Sequence, residues 1–211
     1  MSNVTLDKSQ TIQVRYAEEA TTSCCLSCGG AIDYAKPEKG EVLIDLGSGR
    51  GLDVLKAARM VETAYGIDFT KEMINASVSN KKKLRLENAH FLEGKIDQIP
   101  LPNESADVVI SNCTINHAPN KQAVYSEIYR VLKKGGRFVV SDIIVDEKLP
   151  DHIINDPNAW AACYGGAIPE SDYFEAIYKS GFRELEVIEK SESYQKVEVM
   201  VRSITIKAYK K

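Results

Sequence analysis

The sequence predicts an α/β fold: a mostly parallel seven-stranded sheet with an antiparallel edge hairpin and helices on both faces. From residue 41 onward, short apolar segments alternate with amphipathic helical segments, the order that builds a parallel sheet. The middle of residues 107–111 is entirely apolar, which is typical of a parallel strand buried on both faces. Two strand segments then follow one another at the end of the chain and predict the antiparallel pair.

Seven segments rich in apolar residues are predicted as strands. They are residues 42–44 leading into 45–47, then 64–68, 90–93, 107–111, 137–145, 185–189 and 197–209. Helical periodicity fills the gaps between them, and local signals mark the helix ends. Thr70 is an N-cap candidate, and Gly135 and Gly136 follow a basic last turn. These signals divide the core into strand–helix units.

Residues 1–40 differ from the rest and are predicted to form an amino-terminal helix and a cysteine-containing lid. Residues 7–20 have a helical pattern, and residues 21–30 are small residues with three cysteines and two glycines. A turn signal at residues 37–40 then precedes the main domain, residues 41–211.

Composition excludes several classes of protein. The chain has 211 residues, which fits one domain with elaborations. Its formal net charge of −3 argues against nucleic acid as a partner, and no apolar run is long enough to span a bilayer. The first residues lack the features of a signal peptide, and five cysteines, an odd number, argue against a disulfide framework. We therefore expect a cytoplasmic protein with reduced thiols and no membrane partner.

A glycine-rich loop at residues 45–51 follows the first strand and opens a helix. Its glycines allow a sharp turn and the close approach of a ligand beyond the carboxyl end of the strand. The spacing is not the dinucleotide fingerprint, because Leu52 stands where the last glycine would be. Asp68 closes the second strand, where an acid can bind ribose hydroxyls. A plain structural turn is the alternative.

The strand, the loop Asp-Leu-Gly-Ser-Gly-Arg-Gly and a second strand ending Gly-Ile-Asp resemble the class I S-adenosylmethionine-dependent methyltransferases. The resemblance covers residues 40–211 and implies a Rossmann-like fold with S-adenosylmethionine as cofactor. It also implies that the cofactor is bound by Asp45, Gly47, Ser48, Gly49, Gly51, Asp68, Phe69, Met73, Gly94, Lys95, Ile96 and Asn112.

Cysteines narrow the resemblance further. Cys113 lies in Ser-Asn-Cys-Thr-Ile-Asn after the fourth strand, and Cys163 lies in Cys-Tyr-Gly-Gly-Ala. With the cysteine pair before the fold, these segments look like those of arsenite methyltransferases. The resemblance implies that Cys113 and Cys163 bind trivalent arsenic as thiolates. The third ligand would be Cys24, Cys25 or Cys28, and either Cys24 or Cys25 is favoured over Cys28.

The chemistry of arsenic agrees with thiolate ligands. As(III) is a soft centre that binds thiolates, as soft metals do. Three thiolates leave its lone pair available to attack a sulfonium methyl group, so no base is required. The substrate would be arsenite or its thiol conjugate, and catalysis would consist of positioning with water excluded.

Other functions remain open on the sequence alone. A methyltransferase for another small metabolite would need a base, for which His117 and Tyr164 are candidates. A non-catalytic metalloid-binding module would use the same thiols. Cys25 and Cys28 could also form half of a zinc site or a redox pair. We expect a monomer, with a dimer as the alternative.

Overall fold

The structure is a computed structural model that describes residues 7–21 and 30–211. The helices α1 to α8 are Lys8–Glu19, Ala31–Ala35, Leu52–Ala57, Lys71–Leu84, Lys121–Val131, Asp151–Ile154, Pro157–Ala161 and Glu170–Lys179. The strands β1 to β8 are Val42–Leu46, Thr63–Asp68, Ala89–Glu93, Ala106–Asn112, Leu132–Ile144, Leu185–Lys190, Tyr194–Lys196 and Val199–Tyr209. A 3-10 turn, Ile115–His117, follows β4.

The sheet has the predicted mixture of parallel and antiparallel strands. Its order is β3-β2-β1-β4-β5-β8-β6, and β1 to β5 pair in parallel. β8 runs antiparallel between β5 and β6. The α/β class, the mostly parallel sheet and the antiparallel edge pair are therefore confirmed.

The predicted strand number is wrong: the described sheet has eight strands rather than seven. The additional strand is β7, which pairs with the first residues of β8 through a hairpin. Val197 lies in the turn with a φ of +56°. Because β7 has three residues with no buried side chain, it lacks the apolar alternation from which a strand is predicted.

Helices pack on both faces of the sheet. Ile44 and Leu46 of β1 pack with α5 and α8, whereas Leu43, the residue before Ile44, packs with α2 and α3 on the other face. Successive strand residues point to opposite faces, so Leu43, Ile44 and Leu46 of β1 are all buried although they face both sides of the sheet. This double burial positions the carboxyl ends of β1, β2 and β4 rigidly along one edge.

The short helix α2 belongs to the packing of the sheet. Ala31, Ile32 and Ala35 are buried in the cluster that α3 covers. Arg137 of β5 donates from Nε to the Ala35 carbonyl at 2.8 Å and pairs with Glu41 at 2.7 Å. The described part of the predicted lid that precedes the main domain is thus fixed to the core. The division at residue 40 stays a prediction.

Helix α1 lies across the edge of the sheet at which the parallel strands end. A capping box begins it: Gln10 N donates to the Asp7 carboxylate at 2.8 Å, and Asp7 N donates to the Gln10 side chain at 3.1 Å. Ile12 is buried against Trp160. Gln13 donates to the carbonyl of Phe69 at 3.1 Å, just after β2. α1 therefore bridges the end of β2 and α7.

Within residues 7–21 and 30–211, none of the helices combines the length and apolar character that crossing a bilayer requires.

Candidate active site

A cavity of about 600 Å³ opens at the carboxyl ends of the strands, under α1. Most of the site residues implied by the resemblance line it. They are Asp45, Gly47, Ser48, Gly49, Asp68, Phe69, Gly94, Lys95, Ile96, Asn112, Cys113 and Cys163. The cysteine segment that contains Cys24, Cys25 and Cys28 lies outside the described residues.

The glycine loop folds as a cradle. Gly47 N and Ser48 N both donate to the Ile67 carbonyl, at 2.8 and 3.0 Å, which ties the loop to β2. Gly47 has a φ of +71°, and a Cβ there would lie 2.1 Å from the Thr114 hydroxyl oxygen. At Gly49, with a φ of +52°, the nearest atom to such a Cβ is the Met73 sulfur at 3.9 Å. The backbone at Gly49 is therefore open to a ligand.

Gly51 and Met73 do not line the cavity in the described part of the chain. Gly51 begins α3 with a φ of +79°, and a Cβ there would lie 2.5 Å from the Phe91 ring. Met73 is fully buried beneath the loop. The structure thus gives both residues packing contacts that shape the loop from behind.

Asp68 organises the loop as well as facing the cavity. Its Oδ2 accepts from Gly49 N and its Oδ1 from Thr70 N, both at 2.9 Å. Burial raises its pKa, and these backbone donors oppose the rise. Because a carboxylate oxygen can accept more than one hydrogen bond, both oxygens can still accept from ligand hydroxyls.

Negative charge accumulates at the loop end of the cavity. Asp45 is buried, and its pKa is raised well above the usual value by burial and by the carboxylates of Asp53 and Asp68. A ligand cation would relieve this repulsion, so the site fits a positively charged group.

Asn112 uses its amide within the protein. Its Nδ2 donates to Asp53 at 3.0 Å, and its Oδ1 accepts from Ala31 N at 3.2 Å. Asn112 therefore joins the first residues of α2 and α3 beside Cys113.

The two core cysteines have unusual backbone conformations. Cys113 has a φ of +53° and Cys163 a φ of +68°, in the left-handed region that non-glycine residues rarely adopt. Cys113 N donates to the Ser141 carbonyl at 2.8 Å, which fixes the end of β4 to β5. The two side chains come from loops after β4 and α7 and face the same cavity.

Tyr16 and His117 surround the Cys163 thiol. The Tyr16 hydroxyl lies 3.4 Å from Sγ and 3.0 Å from His117 Nε2, which is itself 3.3 Å from Sγ. Burial lowers the pKa of His117 to about 4 and raises the pKa of Cys163. At neutral pH the resting pair is a thiol beside a neutral imidazole.

Sequence reasoning missed several residues that line the cavity. Ile12 and Tyr16 are four residues apart on α1, a spacing that could have marked one inward face. Arg15 donates to the Ala161 carbonyl beside them. Lys196 comes from β7, and no sequence signal predicts that this strand reaches the site.

The described residues contain no group of three His, Cys, Asp or Glu side chains arranged to hold a metal ion. Two cysteine ligands from the described chain and a third from residues 22–29 would be compatible with that finding.

The doubly wound sheet and a crevice with a glycine cradle beyond β1 define an α/β protein that binds a nucleotide-like ligand. A family model described as a methyltransferase domain matches residues 37–199, and the chain belongs to this family.

Among its relatives, the chain is similar to arsenite methyltransferases. It is 39% identical over 171 residues to that of Halobacterium salinarum, across 80% of this chain and 44% of the relative. It is 36% identical over 152 residues to that of Mus musculus, across 66% of this chain and 40% of the relative. The chain thus spans less than half the length of these relatives.

A solved structure of an arsenic(III) S-adenosylmethionine methyltransferase from Chlamydomonas reinhardtii superimposes with a TM-score of 0.73. The sequences are 28% identical, and the match covers 95% of this chain and 73% of that one.

Proposed function

We propose that this chain transfers a methyl group from S-adenosylmethionine to trivalent arsenic bound by cysteine thiolates. The observation that carries the proposal is that Cys113 and Cys163 face the same cavity as the glycine loop and Asp68. The relatives that are 39% and 36% identical are arsenite methyltransferases, which supports the same substrate.

The residues of the cradle fit the cofactor. Asp45 would hold its ammonium group and Asp68 its ribose hydroxyls, while the open backbone at Gly49 would accept the methionyl chain. Gly94 N donates to the Asp68 carbonyl at 3.0 Å, so residues 94–96 are held where an adenine would lie. When bound, S-adenosylmethionine supplies an electrophilic sulfonium methyl group, which the lone pair of As(III) can attack without a base.

The thiolates position the arsenic. As the arsenic–sulfur bonds form with arsenite, each thiol proton leaves with an arsenic-bound hydroxide as water, so the neutral Cys163 needs no separate base. α1 excludes water by covering the cavity through Ile12 and Tyr16.

Cys24, Cys25 or Cys28 would supply the third thiolate. The segment that contains them joins α1, whose Tyr16 contacts Cys163, to α2, whose Ala31 N bonds the Asn112 side chain beside Cys113. Both neighbouring elements thus lie next to the core cysteines. The preference for Cys24 or Cys25 over Cys28 stays a prediction.

Methylation of another small metabolite is the second candidate. Of the three histidines, His117 is the one that lines the cavity, and its pKa of about 4 leaves it unprotonated at pH 7 but makes it a weak base. Tyr164, the other candidate base, does not line the cavity described here.

The decisive test is cofactor turnover with arsenite and excess small thiol. Serine is a hard ligand that cannot replace a thiolate at a soft centre. We expect Cys113→Ser and Cys163→Ser each to reduce turnover at least tenfold, which is about 1.4 kcal/mol of barrier. Calorimetry with S-adenosylhomocysteine should show near-parental affinity in both variants.

Control variants separate the two candidate functions. His117→Gln and Tyr164→Phe remove the possible bases and should leave arsenite turnover within a few-fold of the parent. Parental rates in both cysteine variants would reject arsenic as the substrate. For the third ligand, single serine variants of Cys24, Cys25 and Cys28 should be compared with the triple variant.

The proposal also includes a cytoplasmic location, a role in arsenic detoxification and a monomeric state.

A further inference from the structure

The left-handed conformations of both core cysteines need an explanation. Such a conformation is strained for a non-glycine residue and persists only where the surrounding structure imposes it. Cys113 and Cys163 have φ angles of +53° and +68°. The structure shows what holds each loop.

The loop after Cys113 is attached to the buried carboxylate of Asp142 on β5. Asn116 donates from its backbone N to Oδ2 at 3.2 Å and from its side chain to Oδ1 at 2.8 Å. The same side chain donates to the Ile143 carbonyl at 2.7 Å. Lys121 holds the far side of the loop by donating to the Ala118 carbonyl at 2.9 Å.

Asp142 is itself held firmly. It is 3% exposed and also accepts from Ile143 N at 2.8 Å and from the Tyr173 hydroxyl at 3.2 Å. Tyr173 in turn accepts from the Tyr125 hydroxyl at 3.1 Å. Burial raises the pKa of Asp142 to about 6, and its hydrogen-bond donors and the charge of Lys121 oppose the rise. The carboxylate is a fixed, fully bonded anchor.

The loop after Cys163 packs directly on the same asparagine. A Cβ built on Gly166 would lie 2.0 Å from the Asn116 carbonyl oxygen. The two backbones therefore touch, and only glycine allows this spacing. One residue further along, His117 Nε2 lies 3.3 Å from the Cys163 sulfur.

We propose that Asp142 and Asn116 are positioning residues for the arsenic site: they fix the Cys113 loop at the distance from the Cys163 loop at which both thiolates bind one As(III). The inference rests on the proposed function, because it assigns a geometry to that site. Two thiolates on one pyramidal arsenic have a narrow range of separations, so a looser pair binds less tightly.

Phenylarsine oxide tests this geometry because it binds two thiols. Two arsenic–sulfur bonds form, and its oxygen leaves as water with both thiol protons. In a chain with Cys24, Cys25 and Cys28 all changed to serine, it reports on Cys113 and Cys163 alone. Trp160 lines the cavity, so its fluorescence provides the titration signal.

In that background we expect Asp142→Asn to weaken phenylarsine oxide binding at least tenfold, with S-adenosylhomocysteine affinity within twofold. Tyr125→Phe is the matched control. It removes a buried hydroxyl from the same network without touching the cysteine loops, and should change phenylarsine oxide binding less than twofold.

Gly166→Ala provides a second, independent variant. It leaves the bonds of Asp142 in place but pushes the Cys163 loop off Asn116, and should also weaken binding at least tenfold. If Asp142→Asn does not fold, this variant decides. Binding within twofold of the parent in the folded variants would overturn the positioning role. Failure of the serine-substituted parent itself to bind phenylarsine oxide would instead reject the arsenic site.

Discussion

At the scale of single residues, the site depends on polar groups that serve the fold and the ligand together. Asp68 holds the glycine loop through Gly49 N while its oxygens face the cavity. His117 contacts Cys163 and Tyr16 while its burial keeps it neutral. A variant of either residue therefore requires separate measurements of ligand affinity and of the free energy of unfolding.

Changing Asp68 should affect cofactor binding in graded steps. Asp68→Ala removes the acceptors that we propose for both ribose hydroxyls and should weaken S-adenosylhomocysteine binding by roughly 2–3 kcal/mol, the scale of charged hydrogen bonds. Asp68→Asn retains one oxygen and should lose about half as much. Calorimetry measures both. An alanine variant with parental affinity would exclude Asp68 from the ribose site.

His117 predicts a pH-dependent stability. Its pKa is about 4 in the folded chain and near 6.5 when unfolded, so between these values only the unfolded state takes up the proton. The stability it contributes is complete above about pH 6.5 and is lost as the pH falls toward 4. In urea unfolding, the free energy of unfolding should fall less between pH 7 and pH 5 in His117→Gln than in the parent. The raised pKa of Asp142 acts in the opposite direction in both proteins, so it cancels in the comparison. If the free energy of unfolding changed with pH equally in both proteins, burial would not lower the pKa of His117.

At the scale of elements, the loops after the strands are shaped by close contacts from behind. Gly51 at the start of α3 meets Phe91 of β3, and Gly47 meets Thr114 after β4. Helix α1 covers the cavity and is held in place by the contacts of Ile12 and Gln13. The cradle is rigid because neighbouring elements leave no space for side chains at these positions.

Gly51→Ala should destabilise the fold by more than backbone strain alone. Its φ of +79° costs alanine about 1–2 kcal/mol, and the 2.5 Å approach to Phe91 adds overpacking of about 1–3 kcal/mol. Gly135→Ala is the matched control, with a φ of +80° and no atom within 4 Å. Urea unfolding should show the larger loss at Gly51. Equal losses would mean that Phe91 moves aside freely.

At the scale of the whole molecule, the cavity draws its walls from the ends of β1 to β4, from α1 and from β7. A ligand there contacts elements far apart in the chain and should stabilise the fold as a unit.

S-adenosylhomocysteine at one hundred times its Kd should raise the free energy of unfolding by about 2.7 kcal/mol. Gly49→Val, which places a branched side chain in the cradle, should abolish this increase. Gly40→Val is the control, because Gly40 also has a positive φ, of +90°, but nothing lies within 4 Å of its Cβ position. Thermal unfolding with and without ligand measures all three proteins. A parental increase in the Gly49 variant would show that the loop does not contact the ligand.

Local sequence signals were sufficient for the order of the elements and for part of the site. Apolar segments and glycines mark strands and turns within a few residues. The local sequence is therefore enough to predict β1, the loop at Gly49 and the position of Asp68. Because parallel strands end along one edge, the position of Cys113 after β4 already places it near the glycine loop, and both line the same cavity.

The contacts around the thiols were decided by the tertiary structure. Tyr16 and Cys163 are 147 residues apart, and Tyr16 and His117 are 101 apart. No periodicity links such positions, because their contact depends on how α1 packs on α7 and on the sheet. The pairing of β7, the burial of α2 and the anchoring of Asn116 on Asp142 arise in the same way. By itself the sequence determined which chemical groups stand at the ends of the strands. Close packing between distant segments determined how those groups meet, because side-chain distances are set by the whole core and not by spacing along the chain.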